Sequence, residues 1–145
     1  MARKRHRVNY EGYITDLVHY INNHGVKLKP YPVIKLSNRS QEGVFIRTGY
    51  YEPDEKVIVL FVKDRHPKDV LRSLAHECIH HNQNLEGRLV GYKGDKITED
   101  NELVTLEAEA YKKGNLLFRS WTEEFQRGSI PHRTFSPHMR KKIKT

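Results

Sequence analysis

The stretch "LRSLAHECIHHNQN", residues 71–84, places His76, Glu77, His80 and His81 within six positions of an otherwise helical run. Its reading decides whether the chain is built around a metal site or around an ordinary helix. Successive helical residues turn by roughly 100°, so each side chain can be given a direction. With Leu74 as origin, Val70, Leu71, Cys78 and Leu85 fall within roughly 60° and define a buried stripe. His76 and His80 fall near roughly 200° and 240°, stacked on a face shared with Asp69 and Ser73. His81 falls at about −20°, inside the apolar stripe. His76 and His80 can therefore grip one ion from a polar face, and His81 cannot join them.

Two imidazoles at i and i+4 suit Zn²⁺, which binds histidine nitrogen at about 2.0–2.1 Å. The glutamate after the first histidine, Glu77, then points toward the open coordination position as a general base. With nine histidines in the chain a chance match to this pattern is a real risk, so a third ligand is needed.

Outward from this segment, His66-Pro67 opens the helix, with Pro67 suited to the first helical position, and Gly87 closes it after about Glu86. Upstream, "KVIVLFV" (56–62) is continuously apolar and β-branched and predicts a strand buried on both faces. "EPDE" (52–55) is turn chemistry. "GVFIRTGYY" (43–51) half-alternates and predicts a strand with one wet face, an edge beside which an extended peptide could lie. "VIKLS" (33–37) is a short strand candidate after the extended "KPYP". Residues 10–23, "YEGYITDLVHYINN", carry Tyr10, Tyr13, Ile14, Leu17, Val18 and Ile21 at helical spacing, stopped by His24-Gly25.

Downstream, "GRLVGYKGDKITED" (87–100) is a long loop. Asp100 can cap a last long helix, "NELVTLEAEAYKKGNLLFRSWTEEFQRG". Gly114 inside that helix costs about 1 kcal/mol against alanine, which points to close packing there. The order of helix, three strands, helix, loop and helix predicts one small α+β domain.

A catalytic zinc keeps three protein ligands and an open fourth position. The candidates downstream are Glu99, Glu102, Glu107 and Glu109. The last helix has an apolar stripe through Leu103, Leu106, Ala110, Leu117, Trp121 and Phe125. Glu107 lies roughly 40° from its centre, while Glu102 and Glu109 lie roughly 100° and 120° away on the other side. A carboxylate directed at the core is costly unless paired or metal-bound. Glu107 is thus the expected third ligand, with Glu109 in reserve. Trp121, Phe118 and Phe125 are expected in the core, and Cys78 as a small buried hydrophobe.

The 145 residues suit a single domain. One cysteine excludes a disulfide framework and a four-cysteine zinc ribbon. The net charge of +8 sits at the ends: residues 1–7 contribute +4 and residues 131–145 contribute +5, leaving one net negative charge between them. Residues 1–8 and 131–145 are therefore expected as flexible basic ends around a domain at 9–130. They could make weak non-specific contact with nucleic acid or another polyanion. No apolar run approaches the roughly 20 residues of a membrane span, and "MARKRHRVNY" has no apolar segment of a signal peptide behind it. A reducing, cytoplasmic setting is expected.

The segments "HECIH" (76–80) and "LEAEAY" (106–111) together resemble the gluzincin class of zinc metallopeptidases, most of all the minimal domains encoded by phages and bacteria, including the ImmA/IrrE-like group. In those families the HExxH helix is followed by a helix whose Glu-x-x-Ala segment supplies the third ligand, which matches "EAEA" (107–110) with Glu107. The resemblance implies a small zincin-like α+β domain with an N-terminal helix, about three strands, the HExxH helix and a long C-terminal helix. It implies one Zn²⁺ held by His76, His80 and Glu107, a protein or peptide substrate, and a bacterial or phage origin. Relatives often carry Asp or Asn four residues after the ligand glutamate, where this chain has Tyr111. SprT-type proteases instead use a third histidine, but His132 and His138 lie in the basic tail.

The sequence thus supports a zinc peptidase with Glu77 as base. Tyr111, Tyr92 and His81 are the candidate oxyanion donors, or Tyr111 and Tyr92 supports of a ligand. The alternatives are an inactive zinc-binding domain with a sensor or structural role, and a basic nucleic-acid-binding protein whose HExxH is incidental.

Overall fold

The computed structural model describes residues 9–39, 48–90, 101–127 and 142–145. Helix α1 (Tyr10–Asn23) begins where Asn9 Oδ1 accepts the Gly12 amide at 3.1 Å, satisfying one of the unpaired N–H groups of the first turn. Its Ile14, Leu17, Val18 and Ile21 are all fully buried, the face that the spacing predicts. Strands β1 (Val33–Ser37), β2 (Gly49–Glu52) and β3 (Val57–Phe61) follow, then helices α2 (Pro67–Leu85) and α3 (Asn101–Gln126) and a short strand β4 (Ile143–Lys144).

The four strands form one mixed sheet in the order β2-β3-β1-β4. β3 runs antiparallel to β2 and parallel to β1, with Ile58 opposite Tyr51 on one side and Ile34 on the other. Val57, Ile58, Val59 and Leu60 are all buried, as the unbroken apolar run requires of an inner strand. β2 stands at one end of the order, the expected edge; residues 43–47 of the predicted strand lie outside the described residues.

The sequence predicts about three strands, and among the described residues the sheet has four. The last comes from the segment expected to be a flexible tail: Ile143 and Lys144 pair in parallel with Ile34 and Lys35 of β1, and Lys142 Nζ donates to the Tyr31 carbonyl at 2.7 Å. A two-residue strand in a lysine-rich segment has no periodicity to read. Its partner is an open β1 edge that exists only once the sheet has formed. Residues 1–8 and 128–141 lie outside the described residues.

Helix α2 is the hub, packing on α1, α3, β2 and β3. His66 caps it and Pro67 opens it, while Gly87 at φ +74° ends it in the left-handed conformation that glycine adopts without strain. Arg65 fixes its start to the sheet. One guanidinium nitrogen donates to the Thr48 and Phe61 carbonyls at 2.8 Å each, the other to the Asp69 carbonyl at 3.0 Å and Ser73 Oγ at 2.9 Å.

Val70, Leu71, Leu74 and Cys78 are buried as expected, and burial pushes the Cys78 thiol pKa up. The opposite face departs from expectation: His80 and Gln83 are buried too, as is Glu77 at the edge of the apolar stripe. A helical wheel gives directions but not coverings, and α3 lies across the face read as polar. Gly114 permits that approach, because a Cβ there would sit 3.0 Å from the His76 Cα and N atoms. Phe118 and Trp121 are in the core, whereas Phe125 is 38% exposed, a correction to its expected burial. It lines a cavity of about 560 Å³ with Tyr13, Phe118 and Trp121. That cavity lies at the far end of α3 from Glu107.

Candidate metal centre

Three donor groups meet between α2 and α3. His76 and His80 stand one turn apart on α2 with ring centroids 4.9 Å apart and planes nearly perpendicular. Glu107 reaches them from α3: its Oε1 is 2.5 Å from His80 Nε2, and its Oε2 is 3.7 Å from His76 Nε2. One ligand atom from each residue lies within 4.8 Å of the others. Bonds of about 2.0–2.2 Å to a tetrahedral ion put ligand atoms roughly 3.3–3.5 Å apart. The trio therefore needs only small side-chain adjustments to close on one ion. Two neutral imidazoles and a carboxylate also match the donor preferences of a borderline divalent cation. These residues could hold a metal ion.

Electrostatics ties the same groups together. Burial pushes the Glu107 carboxyl up, but hydrogen bonds and charge from His76 and His80 outweigh it and bring its pKa down to about 2. Burial disfavours a charged His80, yet the bond to Glu107, the charges of Glu77 and Glu107 and the Gln83 contact together raise its pKa. The Glu107 carboxylate and the His80 ring thus attract each other across the place that a cation would fill. Glu77 is 4% exposed, with its Oε1 3.8 Å from His76 Nε2. Its carboxylate borders the trio.

The reserve ligand has a different task. Glu109 has a side chain as covered as that of Glu107, 24% against 25% exposed, but points elsewhere. It accepts from Arg88 at 2.8 Å and from Gln83 Nε2 at 3.1 Å, and these donors hold its pKa down. Glu102 is exposed, and Glu99 lies outside the described residues. Tyr92 does too, so only Tyr111 of the two proposed tyrosines can be located: its ring lies 4.3 Å from that of His76 and the residue is 59% exposed.

His81 turns away from the trio, as its wheel position predicts. Its Nε2 donates to the Leu28 and Pro30 carbonyls at 3.1 and 2.8 Å, and its Nδ1 accepts from the Tyr51 hydroxyl at 2.8 Å. Burial lowers its pKa. With both nitrogens engaged on the sheet side, it drops out as an oxyanion donor.

Sequence reading missed Gln83, which is fully buried beside His80. Its signal was present: Gln83 falls at about 180° on the same wheel, on the face of His76 and His80. A polar side chain there is unremarkable until α3 covers it.

The chain matches no protein-family model, and neither curated proteins nor solved structures yield a match. Its functional reading rests on its own residues.

Proposed function

We propose that this chain is a zinc-dependent peptidase of the gluzincin kind, in which His76, His80 and Glu107 hold one Zn²⁺ and Glu77 is the general base. The observation that carries the reading is the convergence of Glu107, from a helix remote in sequence, on the two histidines of an HExxH segment with Glu77 alongside. Zn²⁺ held by such a set lowers the pKa of a water toward about 7 and polarises a scissile carbonyl. In this reading Glu77 takes a proton from the attacking water and delivers it to the leaving amine. Among the described residues β2 ends the strand order, and its outer edge is where an extended protein or peptide substrate would hydrogen-bond. No helix among the described residues is long and apolar enough to cross a membrane.

A second reading is a zinc-binding domain without turnover. It is favoured by Tyr111, which stands where related gluzincins often have Asp or Asn, and by His76 Nδ1, buried without a hydrogen-bond partner among the described residues.

Metal analysis of purified protein, joined to a proteolysis screen of wild type and Glu77→Gln, tests both. The peptidase reading expects one zinc per chain in each and cleavage by wild type alone. Zinc in both with cleavage in neither selects the second reading, and no metal in either sinks both.

A further inference from the structure

The Gln83 amide has its orientation dictated by its neighbours. Its nitrogen end faces the Leu106 carbonyl at 2.9 Å and the Glu109 carboxylate at 3.1 Å. Both of those groups only accept, so this end must be the NH₂. The amide oxygen is then left 2.8 Å from His80 Nδ1. An amide oxygen also only accepts, so Nδ1 must carry a proton. The electron pair of the His80 ring is thereby confined to Nε2, the nitrogen that faces Glu107.

We propose that Gln83 is the positioning residue of the metal centre, fixing the rotation of the His80 ring and reserving Nε2 for the ion; this rests on the metal-centre reading above. The support is carried across the helix pair. Leu106 and Glu109, which hold Gln83, flank Glu107 in sequence on α3. One short segment therefore supplies the third ligand and, through Gln83, orients the second. Hydrogen bonds to the remote nitrogen of a ligating histidine fix its tautomer and raise its basicity. His76 has no such acceptor among the described residues and rests against the Tyr111 ring instead. The two histidines are unequal: His80 is held in place before any ion arrives.

The test uses the 145-residue chain as wild type, Gln83→Leu, Glu109→Ala and Glu107→Ala. Zinc affinity is read by competition with a chromophoric chelator. The ring N–H protons are followed in metal-free protein by long-range ¹H–¹⁵N NMR. Wild type is expected to show a slowly exchanging His80 Nδ1–H, lost in Gln83→Leu, with zinc affinity about 10–100-fold weaker in that variant. Glu109→Ala is expected to shift both readouts the same way by less, and serves if Gln83→Leu does not fold. The His81 Nε2–H, held by backbone carbonyls on the other side of α2, should be unchanged in both and reports an intact fold. A folded Gln83→Leu with wild-type zinc affinity, or with an undisturbed His80 Nδ1–H, defeats this inference alone. Zinc loss in Glu109→Ala as deep as in Glu107→Ala defeats it by making Glu109 a ligand. A wild type that takes up no zinc defeats the metal-centre reading, and the role of Gln83 with it.

Discussion

The two long faces of α2 both carry buried side chains in its second half, yet with opposite chemistry. On the sheet side, Leu74 and Cys78 pack in the core and His81 closes a network with Tyr51, Asn84 and two carbonyls. Each donor there meets an acceptor of the protein's own. On the α3 side, His76, His80, Glu77 and Glu107 bring electron pairs together, with Gln83 holding one of them from behind. The difference teaches how to tell a structural histidine from a candidate ligand when both are buried and adjacent in sequence. His81 is satisfied by the fold alone. His80 meets the Gln83 amide oxygen at one nitrogen and faces the Glu107 carboxylate with the other.

Removing a donor from the α3 side is the sharpest way to break the contrast. Glu107→Ala is expected to weaken zinc binding beyond the roughly 100-fold that supporting contacts reach, while its thermal unfolding without metal stays cooperative. Competition with a chelator and calorimetry read the two effects separately. Equal zinc affinity in wild type and variant would falsify the assignment of the third ligand.

The sheet-side network predicts the opposite pattern. Tyr51→Phe removes the hydroxyl that serves both His81 and Asn84, leaving buried polar groups unpaired at a cost of about 1–3 kcal/mol. Urea unfolding should register that loss, and zinc affinity should not change. Coupled loss of metal binding would show that the two faces are not independent.

Gly114→Ala probes the seam between them. The added Cβ meets the His76 backbone at 3.0 Å and must push α3 away from α2. Overpacking of this kind costs about 1–3 kcal/mol, offset in part by about 1 kcal/mol of helix propensity. A small net fall in stability with a clear fall in zinc affinity is expected. Unchanged affinity would mean that helix spacing does not set the site.

Acidity gives the mildest test. The raised His80 pKa stabilises metal-free protein fully below the unfolded value of 6.5, and that contribution is lost as pH rises through the folded value. The depressed Glu107 pKa contributes above 4.5 and is lost as pH falls toward about 2. Chelator-treated protein should therefore gain most from this pair between those two unfolded values, and zinc should move the stability optimum to higher pH. Melting temperatures against pH, with and without zinc, read the shift. An identical profile in Glu107→Ala would remove the pair as its cause.

By itself the sequence determined the local structure: α1 and β1 at their full expected lengths, the inner strand β3, a proline-opened and glycine-closed α2, and the direction of each histidine around it. These follow from periodicity, caps and chain stiffness, which neighbours in sequence impose on one another. It also singled out Glu107, because a carboxylate near an apolar stripe calls for a partner. Tertiary structure alone decided that α3 covers the histidine face, that Glu109 turns to Arg88 and Gln83, and that Ile143 and Lys144 add a strand to β1. The physical reason is common to all three. A wheel or a propensity fixes where a side chain points along its own element, whereas what it meets there depends on which surfaces two distant elements bury against each other.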